Sequence, residues 1–215
     1  MLPFRAPEDA ERAAPAVRGH LALHRLLGYP TETVYGLGSA ADERSLARLA
    51  ALKGRPAGKP FLLLVSARGM AERAGLVFSP AADALAEAFW PGPLTLVLRG
   101  GEGKLPDGLR GPEGGIAVRH TSHPAVARLI ALLDQPLTST SANRPGHPPA
   151  AGAEQLVALF REAHEAGELL VLDGGTLGNV PPSTIVDCTR PQPTLIREGA
   201  LPRPELRRAV GRLAP

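Results

Sequence analysis

Uncommon residue types gather at three places in this sequence, and each place holds groups suited to a charged or polar small molecule. Of 24 basic residues only three are lysines, and two of them, Lys53 and Lys59, flank Arg55 in the run KGRPAGKP. Three cations on one short loop repel one another, a cost that a bound polyanion would offset. Arg presents a planar fork to phosphate oxygens and Lys a mobile point charge. The same run also reads as a solvated basic turn over a helix C-terminus, where the macrodipole favours positive charge. Both tyrosines, Tyr29 and Tyr35, bracket YPTETVYGLG, whose one carboxylate is Glu32. Its hydroxyls, Thr31 and Thr33, and its glycines suit close hydrogen bonding of a small ligand. They equally suit an ordinary connection between elements. The third place is PLTSTSAN, with Thr138, Ser139, Thr140, Ser141 and one of the two asparagines, Asn143. Ligands of open α/β sheets bind beyond strand ends, although such strand ends also simply form loops. Arg119 after GIAV and Arg197 after TLI end two further strand-like runs, either as ligand contacts or as exposed snorkelling residues.

Several chemistries are absent from the sequence. No Gly-Lys-Ser/Thr follows a glycine-rich loop, and neither GxGxxG nor GxSxG occurs. His20 and His24 stand four apart but lack an intervening HExxH acid, so they read as a helix-face pair rather than metal ligands. His120 and His123 flank a helix start, as caps or exposed residues. The single Cys188 forms no internal disulfide and reads as a small apolar residue in STIVDCT. Aromatic residues are only 4%, which counts against base-stacking readers of nucleic acid. A net charge of +3 is too small to imply a nucleic-acid partner by itself. With 44% hydrophobic and 21% charged residues, no membrane-length apolar run and acidic residues near the start, the chain reads as a cytoplasmic globular protein.

These loops must be positioned by an alternation of strands and helices. The first twenty residues, rich in Ala, Pro and Arg, read as a loosely ordered extension, and LALHRLLGY has helical leucine spacing. Asp42 caps ERSLARLAALK, which Gly54 ends. FLLLV reads as a buried strand. Ser79-Pro80 opens a helix that Pro91 stops. LTLVLRG and GIAVRH read as strands, PAVARLIALLD as a helix from Pro124, and PLTSTSAN as strand-like. A helix over AEQLVALFREAHEAG, the strands LLVLDGG, STIVDCT and TLIREG, and a terminal helix over PELRRAVGRL complete the pattern. The reading is α/β, with an extension over 1–20, a domain over 21–202 and a C-terminal helix or tail over 203–215.

The segments YPTETVYGLG, KGRPAGKP, FWPGPLTLVL, GIAVRHTSHP, STSANRPGHPP, STIVDCT and IREGA, in this order, resemble the YrdC-type threonylcarbamoyl-AMP synthases from about Gly28 to Gly199. The resemblance implies a twisted, mostly mixed open sheet with flanking helices and a positively charged concave face, in the short form without an extra C-terminal domain. It implies formation of threonylcarbamoyl-AMP and pyrophosphate from L-threonine, bicarbonate or CO₂, and ATP, for the t⁶A modification of tRNA. Carried over by position, Lys53, Arg55, Lys59, Ser141, Asn143 and Arg197 would contact ATP, with Lys53 and Arg55 the catalytic pair. Thr31, Thr33, Arg119, Ser139 and Ser183 would hold threonine, Arg119 on its carboxylate. No protein metal site is implied; Mg²⁺ would be carried by the triphosphate. The chain departs from many relatives at Lys59, Leu64 and Pro149, where they have Asn, His and Ser. Two other readings compete. One is a module binding double-stranded RNA or tRNA without catalysis. The other is a carbamoyl-adenylate former of hydrogenase maturation, whose zinc-finger and acylphosphatase companions are missing. A t⁶A transferase complex would take the product, and no membrane partner is implied.

Overall fold

Strands and helices alternate through the computed structural model, which describes residues 1–55, 59–178 and 180–214. In chain order they are β1 (Leu2–Pro3), α1 (Pro7–Ala22), β2 (Leu26–Tyr29), β3 (Gly36–Gly38), α2 (Glu43–Lys53), β4 (Leu62–Val65), α3 (Arg68–Arg73) and β5 (Leu76–Val77). Then come α4 (Pro80–Phe89), β6 (Leu94–Gly100), β7 (Ile116–His120), α5 (Pro124–Leu133), β8 (Leu137–Ser141), α6 (Ala153–Leu159) and α7 (Arg161–Glu165). The chain closes with β9 (Leu169–Asp173), β10 (Thr184–Asp187), β11 (Thr194–Arg197) and α8 (Arg203–Val210). The strands form one sheet in the order β1-β9-β2-β3-β8-β4-β7-β6-β10-β11, with β5 paired to β6. It is mixed: β4 runs parallel to β7 but antiparallel to β8, and β6 runs antiparallel to β7 but parallel to β10.

Local chemistry accounts for the helix ends. The Asp42 carboxylate accepts the Ser45 N–H at 2.9 Å at the start of α2, and Gly54 closes that helix in the left-handed region at φ 58. Ser79 caps α4, with Pro80 at its first position. At α5 it is the His123 ring that accepts, from Val126 N–H. The apolar run of β4 lacks alternation because both faces of the sheet are covered there: Leu63 and Leu64, which point to opposite faces, are both fully buried. Gly38 is required by space: a Cβ there would lie 2.0 Å from the Thr138 carbonyl oxygen of the next strand, β8.

Four expectations are corrected. The N-terminal residues are not a loose extension. β1 pairs with β9, Phe4 is fully buried, and α1, which runs through position 20, packs on α5 with Ala10, Ala13, Val17 and Leu21 inward. The small alanines let the two helices approach closely. The leucines of LALHRLLGY serve two elements: α1 ends at Ala22, His24 takes φ 55, and Leu26–Tyr29 is a strand buried between β3 and β9. His20 and His24 are therefore not a helix-face pair. His20 bonds the Leu26 carbonyl at 2.9 Å, and His24 meets Asp42 at 3.1 Å. Finally, AEQLVALFREAHEAG holds two helices, because Phe160 leaves helical geometry at φ −127 to bury its ring. Among the described residues no helix is long and apolar enough to cross a membrane.

Candidate active site

The end of α2 and the end of β8 meet at Lys53. Its side chain is buried, and its ammonium donates to the carbonyls of Ser141, at 2.5 Å, and Asn143, at 2.6 Å, and to the Asn143 side-chain oxygen. All three donors are engaged, so Lys53 clasps the loop after β8. Burial, and secondarily the neighbouring Arg55 charge, bring the Lys53 ammonium down to about 8. Arg55 bonds the Thr140 hydroxyl at 2.9 Å and the Lys59 and Pro60 carbonyls, with its guanidinium 4.6 Å from the centre of the Phe61 ring. Its pKa is lowered by burial. The Ser141 hydroxyl donates to Asn143 Oδ1 at 2.6 Å, and the Asn143 amide donates to the His147 carbonyl. Lys53, Ser141 and Asn143 are thus one bonded cluster, which Arg55 joins through Thr140, the residue before Ser141. Lys59 is exposed, and the turn Pro56–Gly58 expected between the cations lies outside the described residues.

A second cluster forms around the loop after β2. The Thr31 hydroxyl donates to the Val34 carbonyl at 2.7 Å and accepts the N–H groups of Thr33 and Val34 at 3.2 Å. It shapes the loop, as a side-chain turn does. The Thr33 hydroxyl lies 3.5 Å from a terminal nitrogen of Arg119. Arg119 is 4% exposed, which sets aside the snorkelling alternative for this residue. That long contact is its hydrogen bond among the described residues, and its Nε is buried without a partner. Glu32 Oε1, also buried and unpartnered, stands 3.6 Å from this Nε, while Glu32 Oε2 accepts the Thr121 hydroxyl at 2.6 Å. Ser139, two residues before Ser141 on β8, is buried nearby, with its hydroxyl 3.2 Å from where a Cβ on Gly36 would lie.

The third group lies across the sheet. Ser183, just before β10, pairs its hydroxyl with Thr95 of β6 at 2.9 Å, and the Ser183 carbonyl accepts from Arg197 at 2.7 Å. Partial burial, and then the Arg119 charge, lower the pKa of Arg197, so the two guanidiniums sense one another. Leu64, paired in register with Arg119, is fully buried, and Pro149 lies in the loop after β8. The family model for Sua5, YciO and YrdC proteins, described as "Telomere recombination", matches residues 21–199.

The chain belongs to this family.

It is 43% identical to a threonylcarbamoyl-AMP synthase of Chromohalobacter salexigens over 189 residues, covering 84% of this chain and 94% of the relative. It is 35% identical to the Pyrococcus abyssi threonylcarbamoyl-AMP synthase over 91% of this chain, but spans only 56% of that longer relative. The crystal structure of P. abyssi Sua5 complexed with L-threonine superposes with a TM-score of 0.83 at 34% identity, over 97% of this chain and 60% of that one. Escherichia coli YciO matches with a TM-score of 0.79 at 25% identity, over 92% and 93% of the two chains. Both Sua5 and YciO share the mixed α/β fold.

Against this family fold, the residues expected at the site fall into the Lys53 cluster, the Arg119 cluster and the Ser183–Arg197 pair, with Lys59 apart. Sequence reading missed Thr121, Thr95 and the Tyr29 hydroxyl, which donates to the Thr138 carbonyl at 2.8 Å. Thr121 had one available signal, its position two residues past Arg119, the repeat at which strand side chains share a face. The thiol of Cys188 is buried and pushed up to about 12 by burial, so it is no nucleophile at neutral pH. His120 is packed edge-on against Trp90.

Proposed function

We propose that this chain forms threonylcarbamoyl-AMP and pyrophosphate from L-threonine, bicarbonate or CO₂, and ATP. The observation that carries the reading is Arg119: a guanidinium 4% exposed, with a single long hydrogen bond to a described residue, in a chain whose relatives bear this activity's name. A buried Arg with unengaged terminal donors is complementary to a carboxylate. Thr33, Ser139 and Ser183 would complete the threonine side, while Thr31 would act by fixing the loop. Lys53, Arg55, Ser141 and Asn143 would hold the nucleotide phosphates and Arg197 would flank them, with Lys59 reaching in from the exposed end of its loop. Lys53 would exchange its bond to Asn143 Oδ1 for a phosphate oxygen.

The threonine amine combines with CO₂ to give N-carboxythreonine. Its carboxylate oxygen bonds to the α-phosphorus of ATP as the bond to the leaving pyrophosphate breaks. Nothing in that sequence requires a protein nucleophile. Charge neutralisation and alignment supply the rate, as is usual for transfer at phosphorus. Among the described residues no three His, Cys, Asp or Glu side chains converge, so Mg²⁺ would travel on the triphosphate with phosphate oxygens and water as its main ligands. The reading includes a positively charged concave face, supported by Lys53, Arg55, Arg119 and Arg197, and delivery of the product to a t⁶A transferase. Pyrophosphate release from ATP and bicarbonate, with and without L-threonine, tests it. Threonine-dependent release is expected. Release that needs carbamoyl phosphate instead would assign the carbamoyl-adenylate chemistry, and salt-sensitive RNA binding without release would assign the RNA module.

A further inference from the structure

We propose that Glu32 is the positioning residue for Arg119, holding its Nε edge so that the two terminal nitrogens face the amino-acid carboxylate; this rests on the activity proposed above. A guanidinium offers two edges to carboxylates, one including Nε and one formed by its two terminal nitrogens. The only carboxylate beside Arg119 among the described residues is Glu32, and it lies at the Nε edge, 3.6 Å away. Both facing atoms, Arg119 Nε and Glu32 Oε1, are buried without hydrogen-bond partners. Leaving a buried donor and a buried acceptor unmade is costly for each, so the gap is a poised contact: a shift of about 0.7–0.9 Å converts it to a charge-assisted hydrogen bond.

Glu32 itself cannot wander. Its other oxygen is fixed by the Thr121 hydroxyl at 2.6 Å, and its loop is tied by the Thr31 hydroxyl to Val34. Thr121 in turn accepts the His123 N–H at 3.2 Å, which anchors it to the start of α5. Arg119 and Arg197 place two cations within each other's field, and Glu32 is the one carboxylate beside Arg119 among the described residues. A substrate carboxylate on the terminal nitrogens adds a second anion to this positive group. With Glu32 at the Nε edge, a ligand carboxylate is steered to the other edge, which fixes its orientation as well as its affinity.

L-threonine binding is measured by titration calorimetry, beside binding of a non-hydrolysable ATP analogue and steady-state pyrophosphate release. Glu32→Gln, which keeps the size but removes the charge, is expected to raise the threonine Kd and KM about tenfold, the order of one charge-assisted hydrogen bond. ATP-analogue affinity and kcat stay within about twofold, the range of uncoupled sites. Thr121→Val moves threonine affinity in the same direction by less, Thr121→Ser restores it, and Thr121→Val adds nothing to Glu32→Gln. Unchanged threonine affinity in Glu32→Gln overturns the proposal, and so do equal losses for threonine and the ATP analogue, the mark of a general structural role. Wild-type protein that fails to bind threonine overturns both this proposal and the activity. Binding without pyrophosphate release overturns the activity alone, and the Glu32 dependence of that binding still decides this proposal.

Discussion

Lys53 is charged inside the protein, and its pKa of about 8 makes that charge sensitive to mild alkali. The sign follows from burial: the folded value lies below the ordinary 10.5, so the ammonium is present below about 8 and lost as pH rises through it. Between those two values the unfolded chain holds a proton that the folded chain lacks, so this residue makes stability rise with pH there. Nucleotide affinity should do the opposite. The Kd for a non-hydrolysable ATP analogue is expected to climb as pH goes from 7 to 9.5, with the midpoint near 8, and Lys53→Arg should flatten the profile; a flat wild-type profile would take Lys53 off the phosphates. Lys53→Ala has a second consequence. It strands the Ser141 and Asn143 oxygens, so a loss of about 1–3 kcal/mol in urea unfolding should accompany the loss of turnover. KGRPAGKP stood out in the sequence as a candidate anion-binding run because lysine is so rare in this chain. The clasp on the β8 loop was not legible, since it joins residues 88 and 90 positions apart.

At three helices the start was legible from its own side-chain chemistry. Asp42, Ser79-Pro80 and Pro124 mark three helix starts through contacts only a few residues long. Asp42→Ala is expected to cost about 1 kcal/mol in urea unfolding, the ordinary value of an N-cap, plus whatever its bond to His24 contributes. Asp9 does similar work at α1, accepting the Arg5 and Ala6 N–H groups; the Ala6 bond first, then Arg12, hold its pKa at about 2. Its contribution is present above the ordinary carboxylate range and disappears as pH falls through about 2. Short strands were harder to read. β1, β3 and β5 hold two or three residues each, too few for alternation to show, and only pairing with distant partners makes them strands. Gly38 exposes that dependence: Gly38→Ala forces a Cβ against the Thr138 carbonyl and should cost 2 kcal/mol or more, about the upper part of the single-substitution range, with calorimetric Tm as the readout.

Across the whole molecule, the N-terminal segment shows why composition misled and what the error conceals. Alanine, proline and arginine together resemble a tail, and Pro15 stands inside α1 where it removes a helical donor. The helix persists because its small residues seat against α5, a tertiary gain that no local pattern displays. Phe4 anchors the segment. It is fully buried, its N–H donates to the Asp173 carbonyl at 2.7 Å, and its ring stacks on His123 with centroids 6.5 Å apart. His123 caps α5 and donates its N–H to Thr121, which holds Glu32 against Arg119. A continuous path of contacts therefore runs from the first strand to the proposed carboxylate site. Phe4→Ala should destabilise the protein by about 3 kcal/mol through loss of a buried ring. It should also raise the threonine KM by about twofold to threefold, because a loosened His123 slackens every later contact, while the ATP KM stays fixed. Urea midpoints and both KM values on the same preparation separate the two effects. A full loss of stability with an unchanged threonine KM would mean that the path supports the fold without setting the geometry of the site.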